Sequence, residues 1–263
     1  MTYKAQRIRL VSLDFDGTIL DYPPEGPVLH PVIISILNDL CYRGIAWVAN
    51  SGRALDELNE IVSASVANGL WNLPQAFLCL ECMIYECRGQ AIRAVEPWNS
   101  RMVEILRDLH ARVRIAIEPR LDEIRKRFTN EIAMSELYAS FRLPDADAMP
   151  AELCNHLRVW LRDVEGVALT RNGSWVAIHS SHAGKGNILR VYADRAGYDF
   201  DEILAIGDHF NDLTMLDGTA AGYVGCPGDA LAEVKDIVRA AGGFVADREG
   251  PLGAAEVIKN YLH

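Results

Sequence analysis

Apolar residues in the first eighty positions alternate between short runs and helical repeats. Residues 8–13, 45–49 and 76–80 are short apolar runs of the kind found in buried strands. Between them, apolar side chains recur every three or four positions over residues 31–42 and 54–67, which predicts two helices. Strand, helix, strand, helix, strand is typical of a parallel sheet with right-handed crossover connections.

The pattern changes after residue 82 and returns near residue 183. Residues 83–95 predict a hairpin, followed by helices near 97–110, 121–128 and 151–163 and strands near 113–117, 133–143, 167–170 and 174–178. The α/β alternation then resumes with a helix at 185–196, a strand at 202–206, a helix from Asp212, strands at 221–224, 237–238 and 244–245, and a helix at 252–262. We therefore expect an α/β fold with a Rossmann-like core formed by residues 1–82 and 183–263. An α+β domain, residues 83–182, is inserted into it.

Four short polar segments follow predicted strands or open predicted helices. They are Asp14-Phe-Asp16-Gly-Thr18, Ser51-Gly-Arg53, Gly184-Lys-Gly186 and Gly207-Asp-His-Phe-Asn-Asp212. Taken singly, each is also explained by a turn, a helix cap or an exposed lysine. Ligands of α/β sheets bind at the carboxyl ends of the strands, so we expect the four segments to meet in one site.

The first two segments offer carboxylates and an anion site. Gly17 lets the chain turn, so that Asp14 and Asp16 can face one space although they are separated by one residue. Ser51 and Gly52 place a hydroxyl and backbone N–H groups at a predicted helix start, where anions bind.

The last two segments offer a cation and metal ligands. Lys185, at a helix start, would bring a mobile positive charge to anionic oxygens. Asp208, Asn211 and Asp212 supply oxygen atoms, which are the ligands that Mg²⁺ prefers.

The spacing of the segments locates the insertion. Asp14 and Ser51 are 37 residues apart, and Lys185 and Asp208 are 23 residues apart, so each interval fits one crossover connection. Ser51 and Lys185 are separated by 134 residues, far more than one crossover requires.

These residues and their order resemble the haloacid dehalogenase superfamily of phosphohydrolases, in the Cof-like and sucrose-phosphatase-like branch with a type-II cap. The resemblance rests on the four segments and on the position of the large insertion. The sequence departs from the usual pattern of this family at two places. Ser51 replaces the commoner Thr, and Leu80-Glu-Cys-Met83 stands where such relatives often have an Asn-Gly pair.

The resemblance implies a reaction for the two first carboxylates. Asp14 would be the nucleophile that forms an aspartyl-phosphate, and Asp16 would be the general acid and then the general base. This role requires Asp16 to be protonated at working pH while Asp14 is ionised.

The resemblance also implies the binding groups. Mg²⁺ would be held by Asp14, the Asp16 backbone carbonyl and Asp208, with Asp212 orienting metal-bound water or the lysine. The phosphoryl oxygens would be held by Ser51, Gly52, Lys185 and Asn211. The substrate would be a small phosphorylated metabolite, with a sugar phosphate favoured, and the inserted domain would select its leaving group.

Two other functions stay open at this point. A phosphomannomutase-like phosphomutase would share the aspartyl-phosphate step but would need a bisphosphate activator. A catalytically idle, ligand-binding protein of this fold is the third candidate, although the full set of acidic and basic residues favours an enzyme.

Composition and charge restrict the classes of partner that the protein could bind. The formal net charge of −10 argues against nucleic acid and against an anionic membrane surface. The first ten residues carry dispersed charges and no apolar run like that of a secretory signal, so we expect a cytoplasmic protein. The oligomeric state stays open between a monomer and a weak dimer.

The cysteines add a weaker motif. Cys79 and Cys82 form a Cys-x-x-Cys pair and Cys87 follows, but no second pair provides the four ligands of a structural zinc site. We expect buried, reduced thiols at these three positions.

Overall fold

The computed structural model describes residues 8–89, 91–145 and 148–262. Contacts divide the chain into two compact units, one within Met1–Val95 and Lys185–His263 and the other within Glu96–Gly184. The second unit therefore interrupts the first in sequence, and each unit is described separately below.

The first unit is built on an eight-stranded sheet. Its strands are β1 (Leu10–Leu13), β4 (Ala46–Asn50), β5 (Ala76–Cys79), β6 (Met83–Arg88), β7 (Ala91–Ala94), β12 (Ile203–Ile206), β13 (Tyr223–Cys226) and β14 (Phe244–Val245). They lie in the order β14-β13-β12-β1-β4-β5-β6-β7. Six of them pair in parallel, whereas β6 and β7 add an antiparallel hairpin at one edge. A separate two-stranded ribbon joins β2 (Leu20–Asp21) to β3 (Val28–Leu29). The predicted α/β class is confirmed.

Strand register brings three loops to the same edge of this sheet. Leu13, the last residue of β1, pairs with Ala49 on one side and with Ile206 on the other. All four residues of β1 and of β12 are buried, as expected for central strands covered on both faces. The residues that follow β1, β4 and β12 consequently leave the sheet side by side.

Among its described residues this unit has six α-helices: α1 (Pro31–Tyr42), α2 (Leu55–Ala67), α6 (Lys185–Ala196), α7 (Leu213–Leu216), α8 (Ala232–Ala240) and α9 (Gly250–Leu262). The start of α1 shows why the chain becomes helical here. His30 caps the helix by accepting a hydrogen bond from the Val32 N–H at 3.0 Å, and Pro31 occupies the first turn, where its missing N–H costs nothing.

The second unit packs three helices with a four-stranded antiparallel sheet. The helices are α3 (Trp98–Ile117), α4 (Leu121–Arg127) and α5 (Ala148–Trp160). The sheet has the order β10-β11-β9-β8, with β8 (Glu131–Met134), β9 (Ala139–Arg142), β10 (Val167–Asn172) and β11 (Trp175–Ser180). Apolar side chains from all three helices and from β9 and β11 form its buried core.

Two predicted strands are helical, and both predictions were wrong for the same reason. Residues 113–117 are the end of α3, where Val113 and Ile117 continue the buried stripe of the helix. Residues 237–238 lie in α8, whose buried residues Val234 and Val238 are four positions apart. β-branched residues favour strands locally, but burial on one helix face decides the conformation here.

The predicted strand at 133–143 is a hairpin of β8 and β9 instead. Met134 pairs with Ala139, and Ser135 accepts two backbone hydrogen bonds through its hydroxyl, from Leu137 and Tyr138, which closes the turn.

The contact division places the start of the second unit at Glu96, whereas we expected residue 83. The hairpin of β6 and β7 extends the large sheet, since Cys79 of β5 pairs with Met83 of β6. Of the helices that the structure describes, none combines the length and the apolar character needed to cross a membrane.

Candidate active site

The residues after β1, β12 and the start of α6 meet in a buried cluster of charges. Lys185 donates hydrogen bonds through Nζ to Asp14 Oδ1 at 2.5 Å and to Asp212 Oδ1 at 2.6 Å. The side chains of Lys185 and Asp212 are 1% and 0% exposed. The cluster therefore joins two segments that are 171 residues apart in sequence.

Burial and charge act in opposite directions on Lys185. Burial favours the neutral amine, but the carboxylates of Asp14 and Asp212 outweigh it and hold the pKa of Lys185 above its ordinary value. Asn50 fixes the backbone at this point, because its side-chain amide donates to the Lys185 carbonyl at 3.0 Å. This setting therefore favours the charged ammonium form of Lys185.

At Asp14 the net effect of burial and neighbouring charges favours the neutral form, unlike at Lys185. Burial and the negative charge of Asp212 raise the pKa of Asp14 well above its ordinary value, although Lys185 opposes the shift. Burial and Asp212 also raise the pKa of Asp208 to about 6. The cluster thus carries more negative charge than one ammonium offsets, and an additional cation would stabilise its ionised form.

The donor set fits a hard divalent cation. Asp14, Asp208 and Asp212 each offer a carboxylate oxygen, and these three atoms lie within 4.8 Å of one another. Asp212 is the least available of the three. Its Oδ2 already accepts the backbone N–H groups of Asp208 and His209, each at 2.9 Å, while its Oδ1 binds the lysine.

Two glycines allow the carboxylates of Asp208 and Asp212 to lie close to the backbone. Gly17 has a φ of +75°, and a Cβ there would lie 2.4 Å from Asp208 Oδ2. A Cβ on Gly207 would lie 2.4 Å from Asp212 Cγ. Thr18, whose role the sequence did not reveal, donates to Asp208 Oδ1 at 2.9 Å and orients that carboxylate.

Ser51 and Gly52 follow β4 at the same edge of the sheet. Ser51 is buried, and its hydroxyl accepts a hydrogen bond from the Arg53 N–H at 3.2 Å. The helix α2 begins only at Leu55, so these two residues lie in the loop before it rather than in its first turn.

Asp16 is held by two residues that the sequence analysis did not single out for a role. Arg53 donates to its Oδ2 through Nε at 2.8 Å and to its Oδ1 through Nη2 at 2.6 Å, and Tyr22 donates to Oδ1 at 2.6 Å. Burial alone would raise the pKa of Asp16, but the hydrogen bonds from Arg53 and Tyr22 outweigh it and lower that pKa. This arrangement favours the ionised form of Asp16, because both partners stabilise the carboxylate, whereas the expected role as general acid requires the protonated form.

Asn211 lies beside a further acidic residue. Its side-chain amide donates to Glu81 Oε1 at 2.9 Å, and both residues are buried. The sequence departs from the family pattern at Leu80-Glu-Cys-Met83, and this departure could have drawn attention to Glu81, which places a carboxylate two residues after the end of β5.

The cysteines are free thiols, as expected. Cys79 and Cys82 are buried and Cys87 is partly buried. Burial raises the pKa of Cys82 to about 12 and that of Cys87 to about 11, so both thiols stay protonated near neutral pH.

The fold is α/β, and its acidic, lysine-centred site lies at the carboxyl ends of parallel strands. The family described as haloacid dehalogenase-like hydrolase matches residues 117–250, slightly more than half of the chain. The chain belongs to this family.

Individual relatives agree with that assignment. A phosphoglycolate phosphatase of Aeropyrum pernix is 33% identical over 102 residues, which span 39% of this chain and only 40% of that protein. A 5-amino-6-(5-phospho-D-ribitylamino)uracil phosphatase of Bacillus subtilis is 21% identical over 97% of this chain and 96% of its own length. The sucrose-phosphatase of Synechocystis sp. PCC6803, solved with sucrose and phosphate, superposes with a TM-score of 0.70 at 19% identity, over 97% of this chain and 98% of that one. The predicted class, a phosphatase of this superfamily, is confirmed at this level.

Proposed function

We propose that this chain is a Mg²⁺-dependent phosphomonoesterase that hydrolyses a small phosphorylated metabolite, a sugar or polyol phosphate, through an aspartyl-phosphate on Asp14. The observation that carries the proposal is the contact of Asp14 with the buried ammonium of Lys185, inside a group of three carboxylates. A nucleophile, a fixed cation and oxygen ligands for a metal are thereby concentrated at one strand end.

The names of relatives support a sugar or polyol ester, whose leaving group is an uncharged alcohol. Two relatives that match nearly the whole chain are named for a ribitylamino compound and for sucrose, and both names describe polyhydroxylated substrates. The third name, phosphoglycolate, describes an acidic leaving group, but that match spans a minority of either chain. We therefore favour sugar and polyol esters.

In the first step, a carboxylate oxygen of Asp14 attacks phosphorus while the bond from phosphorus to the ester oxygen breaks. The leaving alkoxide takes a proton from Asp16, and the phosphoryl group stays on Asp14. Ser51, the Gly52 N–H, Lys185 and Asn211 hold the phosphoryl oxygens during the transfer.

In the second step, water attacks the phosphorus of the aspartyl-phosphate and Asp16 takes its proton. The bond between phosphorus and the Asp14 oxygen breaks, which releases inorganic phosphate and regenerates the carboxylate. Asp16 thus ends the second step protonated and can act as the acid in the next cycle. The arrangement in which Arg53 and Tyr22 bind the Asp16 carboxylate is the resting one, and entry into turnover requires that pairing to open so that Asp16 can first be protonated.

Bound Mg²⁺ would offset the mutual repulsion of the nucleophile and the phosphate. Asp14, the Asp16 backbone carbonyl and Asp208 would hold it. Asp212 would orient Lys185 from outside this set, consistent with its oxygens being occupied by Lys185 and two backbone N–H groups.

For the second unit, Glu96–Gly184, we propose the role of a cap that selects the leaving group. Its own sheet and core give it the independence that such a role requires.

The test is release of inorganic phosphate from a panel of sugar, polyol, nucleotide and glycerate phosphates. We expect release that needs Mg²⁺, stops in EDTA, returns when the metal is restored, and is lost in Asp14→Asn. Asp194→Asn changes an exposed aspartate on α6 and should retain full activity. Undiminished release by Asp14→Asn would overturn the nucleophile, and full activity in chelator would overturn the metal. Absence of release from every ester would turn attention to bisphosphate-activated isomerisation or to ligand binding without turnover.

A further inference from the structure

Glu81 is a buried acidic residue at the site that the proposed reaction does not use. Glu81 lies between β5 and β6, and 5% of its surface is exposed. Leu80 and Glu81 both adopt left-handed backbone conformations, with φ of 52° and 57°, which side-chain-bearing residues rarely do. The surrounding structure therefore imposes the position of this carboxylate against a local backbone preference.

The contacts of Glu81 place it among the groups proposed to hold phosphate. Its Oε1 accepts the hydrogen bond from Asn211, and a Cβ on Gly52 would lie 3.5 Å from the same oxygen. Its negative charge is also one of the influences that raise the pKa of Lys185. Glu81 thus lies next to the phosphate site while carrying a charge that repels phosphate.

The other oxygen of Glu81 lacks a partner. Within the part of the chain that the structure describes, Glu81 Oε2 and Asn211 Oδ1 are both buried and neither receives a hydrogen bond. Buried acceptors are almost always satisfied, so two neighbouring exceptions require an external donor. Hydroxyl groups of a polyol are donors of suitable size, and they carry no charge for the carboxylate to repel.

We infer that Glu81, together with Asn211, accepts hydrogen bonds from a hydroxyl group on the leaving group of the substrate, and that its charge excludes esters carrying a second anionic group. This inference rests on the proposed phosphatase function and narrows its substrate class. Glu81 is in this view a specificity-determining residue, since it touches the leaving group and not the reacting phosphorus.

Three ligands separate the two parts of the inference. Glycerol 3-phosphate and 3-phosphoglycerate differ at one carbon, which carries a hydroxyl in the first and a carboxylate in the second. Propyl phosphate has neither group. Affinities are measured by calorimetry in the Asp14→Asn background with Mg²⁺, so the readout does not depend on turnover.

We expect glycerol 3-phosphate to bind at least tenfold more tightly than propyl phosphate, and 3-phosphoglycerate to bind most weakly. Adding Glu81→Gln should reduce the preference for glycerol 3-phosphate at least tenfold and should strengthen binding of 3-phosphoglycerate. Propyl phosphate should change less than threefold, because its phosphate contacts are retained. Glu60→Gln removes an equal charge from an exposed position on α2 and should alter none of these affinities.

Equal weakening of all three ligands by Glu81→Gln would overturn the inference, since it would show that Glu81 merely supports the phosphate site. An unchanged ranking would overturn it as well. If Glu81→Gln does not fold, Glu81→Asp keeps the charge but withdraws the acceptor. It should lose the preference for the hydroxyl and still disfavour the carboxylate, and any other pattern contradicts the inference. Binding of the ligands in the predicted order without phosphate release by the wild type would overturn the proposed function and leave this inference standing.

Discussion

Arg53 donates two hydrogen bonds to the Asp16 carboxylate, one from Nε at 2.8 Å and one from Nη2 at 2.6 Å. The pair joins the loop after β4 to the loop after β1, 37 residues apart in sequence. A planar guanidinium matches a carboxylate in this two-point manner, which a lysine could not do. The pair lowers the pKa of Asp16 and so favours its ionised form, whereas the proposed role as an acid needs the protonated form.

Removing the guanidinium should raise the pKa of Asp16. Burial is already the largest single influence on this carboxyl and favours its protonated form, and Arg53→Met removes the main group that opposes it. Tyr22→Phe removes one hydrogen bond and should cause a smaller rise. Carbon-13 NMR titration of the aspartate carboxyl groups measures both shifts, with Asp16→Asn identifying the signal. An Asp16 pKa that is the same in Arg53→Met and wild type would show that the pair does not persist in solution.

Asp16→Asn should slow esters in proportion to how poorly their leaving groups depart. An alkyl ester needs its oxygen protonated, so kcat/KM for a sugar phosphate should fall roughly 10²- to 10⁴-fold. p-Nitrophenyl phosphate needs no such help, so its kcat/KM should fall much less. The two kcat/KM ratios, compared with wild type, make the measurement. Equal losses on both esters would place Asp16 outside leaving-group protonation.

The sequence predicted where the site residues lie in the fold better than it predicted which of their side chains form hydrogen bonds with one another. Asp14, Ser51 and Asp208 each follow a strand closely, so parallel pairing alone brings them to one edge. The contact between Asn211 and Glu81, 130 residues apart, depends on side-chain orientation and on two left-handed residues. Such details follow from tertiary packing, which spacing along the chain does not encode.

The same distinction applies to the fold. Short apolar runs located β1, β4, β5 and β12, because central strands are buried on both faces. The run at Val113–Ile117 was misassigned because the end of an amphipathic helix and a short strand carry the same β-branched residues. Only the longer stripe through α3 resolves that ambiguity.

Lys185 should be essential for stability as well as for binding phosphate. Lys185→Met leaves Asp14 and Asp212 facing each other without their shared ammonium, and we expect a loss of about 3–5 kcal/mol in the free energy of unfolding. Denaturant unfolding without added metal measures it, with the exposed Lys259→Met as control. Adding Asp14→Asn to Lys185→Met should recover part of the loss by removing one charge. A Lys185→Met protein as stable as wild type would contradict the buried ion pairs.

Gly186 allows α6 to pack against the segment after β12. A Cβ at this position would lie 1.9 Å from the Thr214 carbonyl oxygen, a backbone atom that cannot move aside alone. We expect Gly186→Ala to cost about 3 kcal/mol of stability, whereas Gly197→Ala should cost about 1–2 kcal/mol. Gly197 has a φ of +75° but open space around it, so the comparison separates steric clash from backbone strain. Thermal unfolding of both variants provides the measurement, and equal costs would argue against the close approach.

His110 should make the stability of the second unit depend on pH. This α3 residue is buried, and burial, assisted by the charge of His179, lowers its pKa from 6.5 to about 4. Between those two values the unfolded chain binds a proton that the folded chain excludes, so stability falls as pH decreases through this window. From pH 7 to pH 5 the contribution amounts to about 2 kcal/mol. Carboxylates titrate as well, so the informative quantity is the difference between wild type and His110→Gln in denaturant unfolding at the two pH values. The variant should lose less stability than wild type, because glutamine binds no proton in either state. Parallel losses in the two proteins would mean that His110 is protonated equally in the folded and unfolded chain.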